Sequence, residues 1–282
     1  MLDVIKEALI DSIKLLPFLF IVYLIMEYIE HKAGNKTAKA IENAGKAGPL
    51  IGGLLGAFPQ CGFSVMAANL YVAGIISMGT IISIFISTSD EMLPLMISSG
   101  ISIDRILKII GIKVLIAVFF GLLIDFFISR KSKKAKKEIG KICEHEHCHC
   151  EKNIFVSSLK HSLNIFVFII VANLLIDFII YFIGEKAISN LFVQNSLIGP
   201  FVSALIGLMP NCASSVIITE LYINGTINFG SLMSGLMMNS GVALLVLFKL
   251  NKNHKENFTI IGLTYLIAII TGIIINILKI AI

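Results

Sequence analysis

The sequence predicts an all-α integral membrane protein made of two inverted-topology repeats of about five membrane segments each, with broken or hairpin helices meeting near the midplane. Three observations lead there. Hydrophobic residues make up 56% of the 282-residue chain, charged residues only 15%, and mean hydropathy is +0.91. Long bilayer-spanning runs require that much apolar surface, and a soluble domain of this length does not. The stretch from Gly48 to Gly79 recurs without a gap from Gly199 to Gly230, an offset of 151, with thirteen of thirty-two residue types identical. Each copy is apolar yet has a proline, an amide and a thiol at its centre. They read Phe58-Pro59-Gln60-Cys61-Gly62-Phe63-Ser64 and Met209-Pro210-Asn211-Cys212-Ala213-Ser214-Ser215. Apolar segments interrupted at matching points of two halves are the best sequence pointer to a carrier's binding site.

The chain divides into a first membrane repeat (1–130), a basic and His/Cys-rich linker (131–152) and a second membrane repeat (153–282). No cleavable leader is visible, so the first apolar run, Leu9 to Ile29, is expected to remain as a span, kinked at Pro17. The polar stretch 30–46 follows, with His31, Lys32, Lys36, Lys39 and Lys46 against Glu30 and Glu42. Gly48 to Ala73 is cut by Pro59 into two pieces, each too short for a span of about twenty residues. It is therefore either one broken helix or a hairpin with Pro59 to Gly62 at the tip. Ile75 to Pro94 forms the next element and turns polar at Ser87-Thr88-Ser89-Asp90-Glu91. Ile106 to Ile128 closes the half and runs into a lysine and arginine cluster. The second half repeats the plan, with Leu159–Ile180 matching the first span and Ile260–Ile277 matching Ile109–Phe126.

The net charge of +5 lies mostly in loops, where it bears on orientation and not on nucleic acid. Basic loops at 30–46, 130–141 and 249–255 are expected in the cytoplasm, and the nearly neutral ones at 98–104 and 184–196 outside. The halves then cross in opposite directions, by an odd number of passes each, in the cell (inner) membrane with both termini outside.

Prolines and glycines inside an apolar segment free backbone groups that cost several kcal/mol each in hydrocarbon, so a break must be buried in protein or line a wet cavity. Two breaks related by a pseudo-two-fold would form one site. Cys61 and Cys212 would face each other across it as soft ligands for Zn²⁺, Cu⁺ or a thiophilic metalloid. Gln60 and Asn211 offer amide oxygens, and Ser64 and Ser215 follow on the same segments. Pro59, Pro210 and Gly62 make the breaks. The alternative is cysteine as a small packing residue. Glu220, which corresponds to Asn69, and the pair Asp90 and Glu91 are candidates for a hard ligand or a proton relay, because carboxylates at membrane depth are costly. For Glu91 in particular, an inert interfacial position is equally compatible. Asn239, at the Thr88 position, would complete a polar path. Asp125, Glu27 and Asp177 sit near span ends and read as interfacial.

The linker holds Cys143, His145, His147, Cys148, His149 and Cys150 within eight residues. This density suits Zn²⁺, Cu⁺ or Ni²⁺, although it matches no zinc-finger spacing. A cytoplasmic placement would keep its thiols reduced and on the loading side of an exporter. The five cysteines, two in the motifs and three here, do not form a disulfide framework.

The motif around Pro59-Gln60-Cys61, the run Ile86-Ser87-Thr88-Ser89-Asp90-Glu91-Met92-Leu93-Pro94 and Met209-Pro210-Asn211-Cys212 resemble the ten-segment heavy-metal exporter family, whose members carry arsenic-efflux or manganese-transporter labels. Nearly the whole chain is covered. The resemblance implies an inner-membrane efflux carrier. No ATP-binding motif is present, so transport should be secondary, with proton coupling one option. No tightly bound cofactor is expected; the partners are the bilayer and the transported ion, with an oligomer open. Thiols favour zinc, copper or trivalent arsenic; a manganese substrate would need the carboxylates and amides instead. A small-anion carrier or channel is a further alternative. A cysteine-dependent intramembrane enzyme lacks a base near either thiol, because His161 lies only at a span entrance.

Overall fold

The computed structural model describes residues 47–58, 61–89, 92–128, 198–211 and 213–280, together with single positions in the flanking spans (13, 17, 20, 21, 24, 155, 159, 163, 166, 167, 170 and 171). The loops 30–46 and 184–196 and the linker 131–152 lie outside the described residues. Every regular element among the described residues is an α-helix. In chain order these are α1 (Gly48–Gly56), α2 (Cys61–Val72), α3 (Met78–Ser87), α4 (Met92–Ser98), α5 (Ile103–Ile128), α6 (Gly199–Gly207), α7 (Ala213–Ile223), α8 (Phe229–Met238), α9 (Ala243–Leu250) and α10 (His254–Ile277). Among the described residues, four stretches are long and apolar enough to cross a membrane: Met78–Ser98, Ile103–Ile128, Phe229–Leu250 and His254–Ile277.

The duplication read from the sequence is a duplication of contacts. Pro49 and Pro200 open α1 and α6 at the first helical positions, where a missing N–H costs nothing. Ser77 caps α3 by accepting from Thr80 N, and Asn228 caps α8 by accepting from Ser231 N. Ser83 Oγ donates to Pro49 O at 2.8 Å, and Ser234 Oγ to Pro200 O at 2.8 Å. Gly79 N donates to Asp125 Oδ1 at 2.8 Å, and Gly230 N to Asn276 Oδ1 at 3.1 Å. Asp125 is thus a helix-capping acceptor at the end of a span. Gly74 and Gly225 follow α2 and α7 with φ of 71° and 70°, the left-handed conformation that ends a helix with least strain in glycine.

Contacts along α1 decide how its segment runs. Gly48 lies against Thr80, Gly52 against Thr80 and Ile84, and Gly56 against Ile84 and Ser87, so α1 runs beside α3 in the same direction. Residues 73–77 then join α2 to the start of α3, level with Gly48. For the chain to get there, α2 must run back. α1 and α2 are two limbs of a hairpin that enters and returns, and its described ends, Phe58 and Cys61, come level with the end of α3. Nine helical residues reach about 13 Å, roughly half of a hydrocarbon core. α6 and α7 repeat this: Gly199 lies against Ser231, and Gly207 against Gly235 and Met238.

α5 runs antiparallel to α3, with Gly121 against Gly79 and Ser83, and carries apolar side chains such as Leu115 and Phe119 on its exposed face. α10 does the same for α8 through Gly272, Gly230 and Ser234. The broken pairs α3–α4 and α8–α9 form the core, where Ile82, Phe85, Met233 and Met237 are at most 1% exposed. Between halves the contacts are reciprocal: α2 packs on α9 as α7 packs on α4, and α3 on α10 as α8 on α5. Of the first spans, Phe20 and Phe155 meet edge to face with ring centroids 5.0 Å apart.

Candidate functional site

Each half presents two interruptions at one level: the hairpin end and the break that separates the two parts of the broken helix. The first break follows Ser87. Thr88 leaves the helix with ψ of 131°, its N–H still bonded to Ile84 O and its hydroxyl donating to the same oxygen at 2.7 Å. The second follows Met238. Asn239 leaves with ψ of 103°, and its Oδ1 accepts from the N–H of Gly241 at 2.9 Å. Gly241 takes φ of 56° there, a turn that glycine makes without steric cost.

Among the site residues expected from sequence, the structure buries Gly62, Ser64, Asn69, Asn211, Ser215 and Asn239. Asn69 Nδ2 donates back along its own helix to Val65 O at 2.8 Å. Ser214 Oγ donates to Asn211 O at 2.7 Å, stitching the second hairpin end, where Pro210 is half-buried. Cys212, Pro59, Gln60, Asp90 and Glu91, and the side chain of Cys61, lie outside the described residues. So does the whole metal tract, Cys143, His145, His147, Cys148, His149 and Cys150.

Glu220 differs from expectation. It is exposed, in the last turns of the returning limb and away from the hairpin end. Its side chain is thus not among the groups buried at the interruptions. Among the described residues, no three of His, Cys, Asp and Glu come together.

The residue that joins the two halves at this level is Lys113, absent from the sequence-based set. Its side chain is 0% exposed in the middle of α5. Nζ donates to Thr88 O, to Ser89 Oγ at 3.1 Å and to Leu236 O at 3.4 Å. Thr88 O belongs to the first break, and Leu236 O is a last-turn carbonyl of α8 left without a helical donor by the second. Both carry the negative end of a helix dipole, which favours a cation. One ammonium group therefore ties two broken helices from different halves. Its signal in the sequence was a lone lysine inside an apolar run, which is functional by default at membrane depth.

A family model described as "Putative, 10TM heavy-metal exporter" matches residues 1–198 and, in a second match, residues 154–281. The chain belongs to this family. No curated protein matches, and no solved structure matches. For a multi-pass exporter the exposed aliphatic faces of α5 and α10 are surfaces that meet lipid, while the stretches Met78–Ser98 and Phe229–Leu250 are largely buried between them.

Proposed function

We propose that the protein is a secondary carrier of the cell membrane that exports a thiophilic metal or metalloid ion from the cytoplasm, through a midplane site where the hairpin ends and helix breaks of two inverted repeats converge. The observation that carries this is the Lys113 bridge, which draws the break after α3 and the last turn of α8 to one level. An inverted relation of the halves is supported by Tyr71, at the open end of the first hairpin, bonding Glu256 at the start of α10. The start of α3 is thereby level with the start of α10, and α8 begins on the opposite side. In this arrangement each half crosses three times, counting the first span, and carries one re-entrant hairpin. That gives five segments per half and an odd number of passes.

Cys61 and Cys212, beside the hairpin ends, supply the soft ligands; Asn211, Gln60, Ser64 and Ser215 supply polar groups around them. The exposed position of Glu220 weighs against a site built wholly of hard carboxylate ligands for manganese. The small-anion alternative is disfavoured because the Lys113 ammonium already donates to three oxygens. The cysteine and histidine tract at 143–150 acts as a cytoplasmic collector that loads the carrier.

The test is cellular element content across Mn, Zn, Cu, Ni, Cd and As. Cells would carry the wild type, the Cys61→Ser/Cys212→Ser double variant, or a deletion of 143–150. The wild type should lower one thiophilic element and the double variant should not, while the deletion should retain export at reduced apparent affinity. A fall in manganese alone, with the cysteines dispensable, would overturn the thiolate site.

A further inference from the structure

The two breaks are matched in position and unlike in chemistry. With the repeat offset of 151, Lys113 corresponds to Thr264, Thr88 to Asn239 and Ser89 to Ser240. Gly272 sits against Ser234; Thr264 is about 12 Å further along α10 and Asn239 about 8 Å further along α8. Thr264 thus lies about 4 Å past the second break, at the offset that Lys113 spans with its stem at the first. At the first break an ammonium rests on the helix-end carbonyl and on Ser89 Oγ. At the second, the same ammonium reaches only Leu236 O, at 3.4 Å, and Thr264 Oγ1 donates within its own helix to Ile260 O at 2.8 Å. Ser240 Oγ and Asn239 Nδ2, on residues 1% and 2% exposed, have no hydrogen-bond partner. An orphaned buried polar group costs about 1–3 kcal/mol, and two adjacent ones at a helix C-terminal end call for a ligand.

We propose that the second break is the binding place of the coupling ion, a sodium ion, and that Lys113 is its tethered counterpart in the first repeat. The proposal rests on the secondary-carrier function above and names what drives it. Unwound carbonyls and half-helix C-terminal ends are the groups that hold sodium in carriers of repeated architecture. Ser240 Oγ adds a neutral oxygen, and the Asn239 amide donates to a water that the ion retains. A divalent ion would demand a set of carboxylates, and among the described residues no three of His, Cys, Asp and Glu come together. The sulfur at this break is the neutral thioether of Met237 and Met238, a weaker ligand than the thiolates assigned to the hairpin ends. Substrate and coupling ion are thus sorted by ligand chemistry: thiolate sulfur at the hairpin ends, oxygen at the second break.

The experiment measures thermal unfolding of the purified full-length protein in NaCl, KCl and choline chloride at matched ionic strength, alongside metal counterflow in proteoliposomes with and without a sodium gradient. Sodium should raise the unfolding temperature saturably and choline should not. Ser240→Ala should weaken the apparent sodium affinity about tenfold, the expected effect of losing one buried ligand. Thr264→Lys, whose stem would bring a second ammonium back to the second break as that of Lys113 reaches the first, should abolish the sodium response; if that chain does not fold, Ser240→Ala alone decides. A sodium response equal to that of choline, or one unchanged in Ser240→Ala, overturns the proposal. Metal export driven by a proton gradient with no effect of sodium also overturns it and leaves the exporter function standing. A sodium response without any metal export keeps the site and sinks the exporter.

Discussion

Tyr71 Oη donates to Glu256 Oε1 at 2.7 Å, across 185 positions of chain. The bond joins the open end of one half's hairpin to the first turn of the other half's last helix. Its symmetry mates are Tyr222 and Arg105, close enough for the guanidinium to act on the phenol through charge. A double-mutant cycle of Tyr71→Phe with Glu256→Gln, read by unfolding in detergent, should give a coupling of about 1–2 kcal/mol. A coupling near zero would mean that the two ends merely lie side by side.

Backbone contacts through glycine should be equally intolerant in both halves. A Cβ at Gly79 would fall on the carbonyl oxygen of Gly121, and one at Gly230 on that of Gly272. Gly79→Ala and Gly230→Ala should each cost about 1–3 kcal/mol. Gly111→Ala and Gly262→Ala meet nothing within 4 Å and should gain up to about 1 kcal/mol from helix propensity. Unfolding midpoints of the four variants check this, and a tolerated alanine at Gly79 would contradict the close crossing.

Replacing Lys113 by Met should strip the donor from Thr88 O and Leu236 O, at about 1–3 kcal/mol for each carbonyl left bare. Lys113→Arg should not restore it, because a planar guanidinium does not fit a fully enclosed ammonium site. Size-exclusion profiles and unfolding temperatures provide the readout. A wild-type midpoint for Lys113→Met would show that the ammonium does not hold the breaks together.

Glu220→Gln should leave export within about twofold of wild type, since an exposed carboxylate contributes little. Asn239→Ala removes the acceptor for Gly241 N and should lower export about tenfold or more. Export kinetics of the pair separate the two sites, and a severe loss in Glu220→Gln would return that carboxylate to the pathway.

The duplication was legible because glycine, proline and a capping residue recur at fixed distance, and each of those types is demanded by backbone geometry. Hairpin against broken span was not legible. Apolar helices of nine and twelve residues satisfy both, and only the register of Gly48, Gly52 and Gly56 along α3 separates them. The place of Glu220 was not legible either: almost the whole returning limb separates it from the hairpin end, a distance that shows only when the limb is counted in turns. Lys113 was missed because hydropathy averages one charge away over a 26-residue helix. Its loss of a lysine partner at Thr264 was visible in the alignment of the halves, and unequal charge at matched positions is the signal that finds such a residue.

In each half the first hairpin limb, the first part of the broken helix and the long last helix interlock through glycine contacts and a serine-to-proline carbonyl bond. Packing that close does not bend gradually. The second limbs reach across instead, α2 to α9 and α7 to α4. The molecule is thus a pair of stiff jaws, each lending one finger to the other's grip. Each jaw is therefore joined to the other at two such seams, where a finger meets the opposing jaw.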